Sequence, residues 1–163
     1  MKLLKGYSTI LIGLAKIGKL DLLGEIFSRI SVPEEVFYEV VEKGEGKPGS
    51  ESIKGTDWIE IIHVKDKIQV DLLTVSLDKG EAEVLALAKQ LGADLILVDD
   101  EKARKSAVLA GYNVMGLLGL FLLAKKLGLI DQVRSLVDNL RRNKFRLSDR
   151  VVSETLRRSG ELM

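Results

Sequence analysis

The sequence predicts an α/β fold, a three-layer α/β/α domain with a mostly parallel central sheet. Three observations carry this prediction. Segments with an apolar helical face alternate with short apolar runs along the chain. The run "DLILVDD" is uninterruptedly apolar and then ends in acids, the mark of a parallel strand buried on both faces. Finally, 163 residues at 46% hydrophobic and 30% charged suffice for one domain with a real core.

The elements follow in order. From Thr9 to about Ile30 the chain is apolar at helical spacing, through Ile10, Leu14, Ile17, Leu22, Leu23, Ile26 and Phe27. "GKLD" breaks this stretch into two helices or one kinked one. "RISVPEEVFYEVVEKG" reads as a strand at Ile30–Val32 and then a helix, with Pro33 near its start and Gly44 past its end. Glu45 to Ser52, "EGKPGSES", is the clearest loop. "DWIEIIHV" is β-rich and reads as an edge strand carrying His63, and "KIQVDLLTVS" as a helix. "DKGEAEVLALAKQLGA" is a strong helix stopped by Gly92. After the "DLILVDD" strand, "EKARKSAVLAG" is a helix closed by Gly111 and "YNVMG" a short strand. "LLGLFLLAKKLG" is a helix, and two more begin at Asp131 and Ser148. No internal repeat interrupts this order. In sheets of this kind function gathers at the carboxyl ends of the strands.

Composition narrows the chemistry. Cysteine is absent, which excludes disulfides, thiol catalysis and thiolate metal sites. His63 is the single histidine, so a multi-histidine zinc site within one chain is excluded as well. Carboxylates, hydroxyls, lysine and arginine remain, and these suit a hard ion, Mg²⁺ or Mn²⁺. The net charge of +1 predicts no polyanion partner from the total, so only local clusters can attract one. Lysines punctuate the early apolar stretch, so no signal peptide is expected. The apolar run Val114–Ala124 is too short for a bilayer, so no membrane partner is expected and the cytoplasm is the expected location.

"GLAKIGKL", Gly13 to Leu20, falls one residue short of a phosphate-binding loop. Leu20 stands where the motif needs a hydroxyl. The "LAKI" between the glycines continues the helical pattern from Ile10, and N–H groups inside a helix are already bonded. Gly13 and Gly18 therefore read as a close-packing site and a helix break, and the small-molecule nucleotide-binding alternative is the weakest.

Acids at strand ends invite two readings each. Asp99 and Asp100 follow "LILV", where one can cap the next helix while the other binds metal. Glu81 either ligates a divalent ion or closes a capping box with Asp78. Glu39 shares a helix face with Glu35 and Lys43, which reads first as a solvated face with an i,i+4 pair.

These acids stand in a family's order. "STILIGLAKIGKLDLL", "VPEEVFYEVVEKGEGKPGSESI", "LDKGEAEVLALAKQLGADLILVDDEKAR", "GLLGLFLLAKKLGLI" and "FRLSDRVVSETLRRSGE" together resemble the PIN-domain family, in particular an archaeal and bacterial PIN-like subfamily of unknown function. The likeness runs nearly end to end, which makes 1–163 a single PIN-like domain. It implies a nuclease fold that cleaves RNA at acidic residues holding one or two Mg²⁺ or Mn²⁺ ions, often as a toxin. By matching motifs it makes Glu39, Glu81 and Asp99 the catalytic and metal-binding acids, with Asp100 beside them as a further metal ligand. Relatives of this kind commonly form homodimers, and toxin members pair with an antitoxin protein.

One departure stands out. The family's first strand ends in an acid or Asn before a pair of small hydroxyls. Here the pair is Ser8-Thr9, read as marking the end of that strand, and the preceding residue is Tyr7, a poor ligand for Mg²⁺. Ser8 is a hydroxyl placed to act through a water and is counted with the nucleic-acid contacts. The others are Arg104 and Lys105, just beyond the acids, and Arg141, Arg142 and Lys144 in "RRNKFR". That segment reads equally as a solvated helix end with Phe145 in the core. The leading expectation is a divalent-metal-dependent ribonuclease. The alternative, prompted by Tyr7, is a catalytically degenerate PIN-like module that binds RNA or a protein without cutting.

Overall fold

The computed structural model describes residues 3–5, 8–43 and 50–162. The described strands are β1 (Leu3–Lys5), β2 (Ile30–Pro33), β3 (Ile59–Ile62), β4 (Leu95–Leu97) and β5 (Asn113–Met115). The helices are α1 (Ser8–Lys16), α2 (Asp21–Phe27), α3 (Glu34–Lys43), α4 (Ser50–Lys54), α5 (Lys67–Leu73), α6 (Lys79–Leu91), α7 (Glu101–Leu109), α8 (Leu117–Lys126), α9 (Val133–Arg142) and α10 (Asp149–Arg158).

The strands form one sheet in the order β3-β2-β1-β4-β5, and every described pairing is parallel. Register runs Leu4 to Ser31, Leu4 to Ile96, Ile30 to Ile59 and Ile96 to Val114. The architecture is the expected three-layer α/β/α fold. All four residues of β2 are buried, as in a strand covered on both faces. Successive strands run outward in one direction from β1 and then in the other from β4. The β1/β4 junction is therefore the switch point, and the crevice for a ligand lies at the carboxyl ends there.

Local chemistry sets the element ends. Gly18 takes a positive φ of 67° and Lys19 N–H bonds Leu14 O at 2.9 Å, so α1 and α2 are two helices rather than one kinked helix. Gly13 lies inside α1. A Cβ there would meet the Phe145 ring at 2.9 Å, so this glycine serves close packing and the nucleotide-loop alternative has no loop to stand on. Gly24 likewise makes room for the Trp58 indole, 3.0 Å from the point its Cβ would occupy. Gly92 closes α6 in the left-handed region.

Two boundaries differ from expectation. Ser8 and Thr9 do not end a strand: β1 stops at Lys5, and Ser8 already opens α1. The helical phase of Ile10, Leu11 and Leu14, all fully buried, sets that start. Tyr7 lies outside the described residues. In the expected loop Glu45–Ser52, residues 50–52 belong to α4, because a helical turn buries Ile53; Gly44 and residues 45–49 lie outside the described residues.

Candidate active site

β4 delivers two consecutive aspartates over the carboxyl edge of the sheet, and their tasks differ. Asp99 Oδ1 accepts the Leu117 N–H at 2.9 Å. It thus caps α8, whose own N-cap residue, Gly116, has no side chain to do so. Asp100 caps α7: its Oδ2 accepts the Ala103 N–H at 2.9 Å, and Glu101 favours the same helix end.

Glu81 opens α6 in a complete capping box. Asp78 Oδ1 accepts the Glu81 N–H at 2.8 Å, and Glu81 Oε2 accepts the Asp78 N–H at 3.1 Å. The residue is only 6% exposed, and its carboxyl meets that of Asp100 closely enough to share a proton. Burial pushes the Glu81 pKa up, the Asp78 N–H pulls it back, and the charges of Asp78 and Asp100 push it up again.

Glu39 enters from α3. Its Oε2 lies 3.8 Å from the point where Gly80 would carry a Cβ, and Asp78 Oδ1 lies 3.6 Å from the same point. The α3 glutamate thus reaches the first turn of α6. Glu39, Asp78, Glu81 and Asp100 gather around that turn, while Asp99 faces α8. Asp78 is an acid that the sequence presents only as a cap. Glu35, on the same face of α3 as Glu39, binds Lys79 at 2.7 Å.

The donor set suits a hard divalent ion. Every donor is a carboxylate oxygen, and two carboxyls are pressed together where a proton or a cation relieves their repulsion. Among the described residues no three acids converge at metal-binding spacing. Glu39, Glu81, Asp99 and Asp100 remain the candidate ligands.

A cavity of about 1080 Å³ opens beside the strand ends. Thr9, Asp99, Asp100, Arg104, Arg146, Arg150 and Arg158 are among the residues that line it. Glu39 and Glu81 stand outside its lining. Of the expected nucleic-acid contacts, Arg104 faces the cavity and Lys105 is paired with Glu101 at 3.3 Å. Arg141 is held by Asp149 at 2.8 Å and by Leu147 O at 3.3 Å, and neither it, Arg142 nor Lys144 lines the cavity. The Phe145 ring lies between the cavity and Gly13. Exposed His63 contacts Glu34 at 3.1 Å, away from these acids.

Arg150 and Arg158 escaped the reading of the sequence, although a signal was there. Arg150, Glu154 and Arg158 recur at four-residue intervals, which places them on one face of α10. Among the described residues no helix is long and apolar enough to cross a membrane.

Comparison with family models matches residues 7–161 to the PIN domain. No curated protein matches the chain.

Proposed function

The chain belongs to the PIN-domain family, whose fold is nuclease-like, and on that premise we propose that it is a divalent-metal-dependent ribonuclease of toxin type. The observation that most supports this is the contact between the Glu81 and Asp100 carboxyls, with Glu39 and Asp78 beside them and Asp99 next in the chain. Glu39, Glu81, Asp99 and Asp100 would hold Mg²⁺ or Mn²⁺, which supplies an acidic water and positive charge for a phosphodiester when bound. The chain's own residues set the stage for it. The Asp78 N–H orients Glu81, the Leu117 N–H orients Asp99 and the Ala103 N–H orients Asp100. Arg104, in the same cavity as the two aspartates, meets phosphate charge. The same reading takes 1–163 as one PIN-like domain acting on RNA in the cytoplasm, with an antitoxin protein and a second copy as partners. Family resemblance supports these last points.

The test is cleavage of labelled single-stranded RNA in Mn²⁺, with and without chelator, by the wild type and by Asp99→Asn and Glu81→Gln. Metal-dependent cleavage lost in both variants is expected. Cleavage that survives either substitution overturns the site.

A second reading, the degenerate binding module, has its own observation. Glu81 and Asp99 are engaged by backbone N–H groups, and no three described acids converge. RNA bound but left uncut, alike by the wild type and Asp99→Asn, selects it.

A further inference from the structure

The charged residues lining the cavity cancel unevenly. Glu101 is paired with Lys105, and Glu154 takes Arg157 at 2.7 Å and Arg158 at 2.9 Å. Near the aspartates Asp99 and Asp100 the same lining carries Arg104, Arg146 and Arg150, and none of these three arginines has an ion-pair partner among the described residues.

Arg146 and Arg150 leave from firmly built backbone. Lys144 takes a positive φ of 63°, which turns the chain out of α9. Phe145 then seats its ring against Gly13 of α1, so Arg146 leaves from an anchored residue. Arg150 sits in the first turn of α10, whose start is fixed by Ser148 Oγ accepting the Val151 N–H at 3.2 Å. The same lining carries apolar Met115, Leu118 and Leu122. A concave wall of guanidinium groups with apolar surface beside it suits a strand that offers phosphates and unpaired base faces together.

We propose that Arg104, Arg146 and Arg150 form the phosphate-gripping wall of this cavity, holding single-stranded RNA across the strand-end aspartates. The "RRNK" cations Arg141, Arg142 and Lys144 do not take that role. The inference rests on the ribonuclease reading and adds where the strand lies.

Anisotropy of a labelled single-stranded RNA, measured in EDTA so that no cleavage intervenes, tests it. Arg146→Ala/Arg150→Ala is compared with Arg141→Ala/Arg142→Ala, both checked for wild-type melting. The four arginines are exposed at the surface, so folding is expected to survive. The cavity pair is expected to weaken binding by about tenfold or more. It should also flatten the slope of log K against log salt by about 1.4, at ~0.7 per lost contact. The second pair is expected to stay within about twofold of the wild type, a small part of that counterion effect. Equal weakening by both pairs overturns the wall and leaves the ribonuclease reading standing. A wild type that binds no RNA, with EDTA or with Ca²⁺, overturns both.

Discussion

Gly116 and Asp99 fit so closely that no side chain can stand between them. A Cβ at position 116 would lie 2.5 Å from Asp99 Oδ1 and 3.1 Å from Arg104 Nη1. The same Asp99 oxygen holds the Leu117 N–H. Gly116→Ala is therefore expected to push the carboxylate off its cap. Overpacking together with the lost hydrogen bond should cost about 1–3 kcal/mol in denaturant unfolding. Cleavage should fall by about 10–100-fold, as when a ligand's support is removed. An alanine variant with wild-type stability and activity would show that Asp99 needs neither this cap nor this position.

Glu81 makes a prediction about pH and metal. Its pKa is raised in the folded protein, first by burial. The sign follows from linkage: the folded state binds this proton more tightly than the unfolded chain. The stabilisation is full below the ordinary carboxylate pKa of about 4.3 and is lost as pH rises through the folded value. Ionising the buried side chain beside Asp100 as pH rises is a cost. Glu81→Gln removes that charge yet keeps the capping box, which accepts Gln at the same place. The metal-free variant is expected to melt about 2–4 °C higher at pH 7, the shift that roughly 1 kcal/mol makes in a chain of this size. Mn²⁺ is expected to raise the wild-type melting temperature and to leave the variant nearly unmoved. Equal Mn²⁺ responses in calorimetry would remove Glu81 from the ligand set.

Much of the fold is written locally, and that part was legible. Asp78 with Glu81, Asp100 before α7, Ser148 before α10 and Gly92 after α6 are signals within three or four residues of what they control. Both readings of Glu81 and Asp100 began there, and their capping geometry is observed. Their meeting is another matter. It depends on how the start of α6 docks beside the end of β4, and no spacing along the chain encodes that. The basic segment shows the same limit. "RRNKFR" reads as one patch, but the positive φ at Lys144, a conformation few lysines adopt, splits it. Arg146 goes to the cavity, while Arg141 turns to Asp149. Glu83 lies two residues from Glu81, on another face of α6, yet it is only 2% exposed. Its pKa is raised by burial and then by Glu35, a partner from α3 that is invisible from α6 alone.

Glu161 gives the chain an acid-sensitive clamp. It accepts the Val133 N–H at 2.8 Å, the Arg134 N–H at 3.0 Å and Lys125 Nζ at 3.0 Å. It thereby caps α9, whose N-cap residue Gln132 makes no side-chain cap of its own. Burial pushes this carboxyl up, but the N–H groups of Arg134 and Val133, with Ser159 and Lys125, together outweigh it and hold it at about 2. Because the folded pKa is lowered, the stabilisation is present above the ordinary carboxylate pKa and is lost as pH falls toward 2. Glu161→Gln is expected to cost about 2 kcal/mol at pH 7, typical of charge-assisted hydrogen bonds. It should also flatten the acid limb of stability between about pH 4.5 and 2. Urea melts across that range measure both, and an unchanged acid limb would assign the acid response to other carboxylates.

Gly13 and Phe145 pit helix propensity against packing. Inside α1, alanine is worth about 0.5–1 kcal/mol over glycine. Yet its methyl would sit 2.9 Å from Phe145 Cε2, and the half-buried ring has to shift to admit it. Overpacking of this kind costs about 1–3 kcal/mol, so Gly13→Ala is expected to destabilise on balance. If the ring is the obstacle, the sign reverses once it is gone. In a Phe145→Ala background, Gly13→Ala should stabilise by about 0.5–1 kcal/mol. The coupling in that double-mutant cycle should exceed the ~0.5 kcal/mol within which independent sites add. Arg146 follows Phe145 directly, so Gly13→Ala alone should also weaken RNA binding, although residue 13 lies inside a helix and carries no charge. Additive energies in the cycle would mean that the ring yields freely, and the anchored position of Arg146 would lose its support.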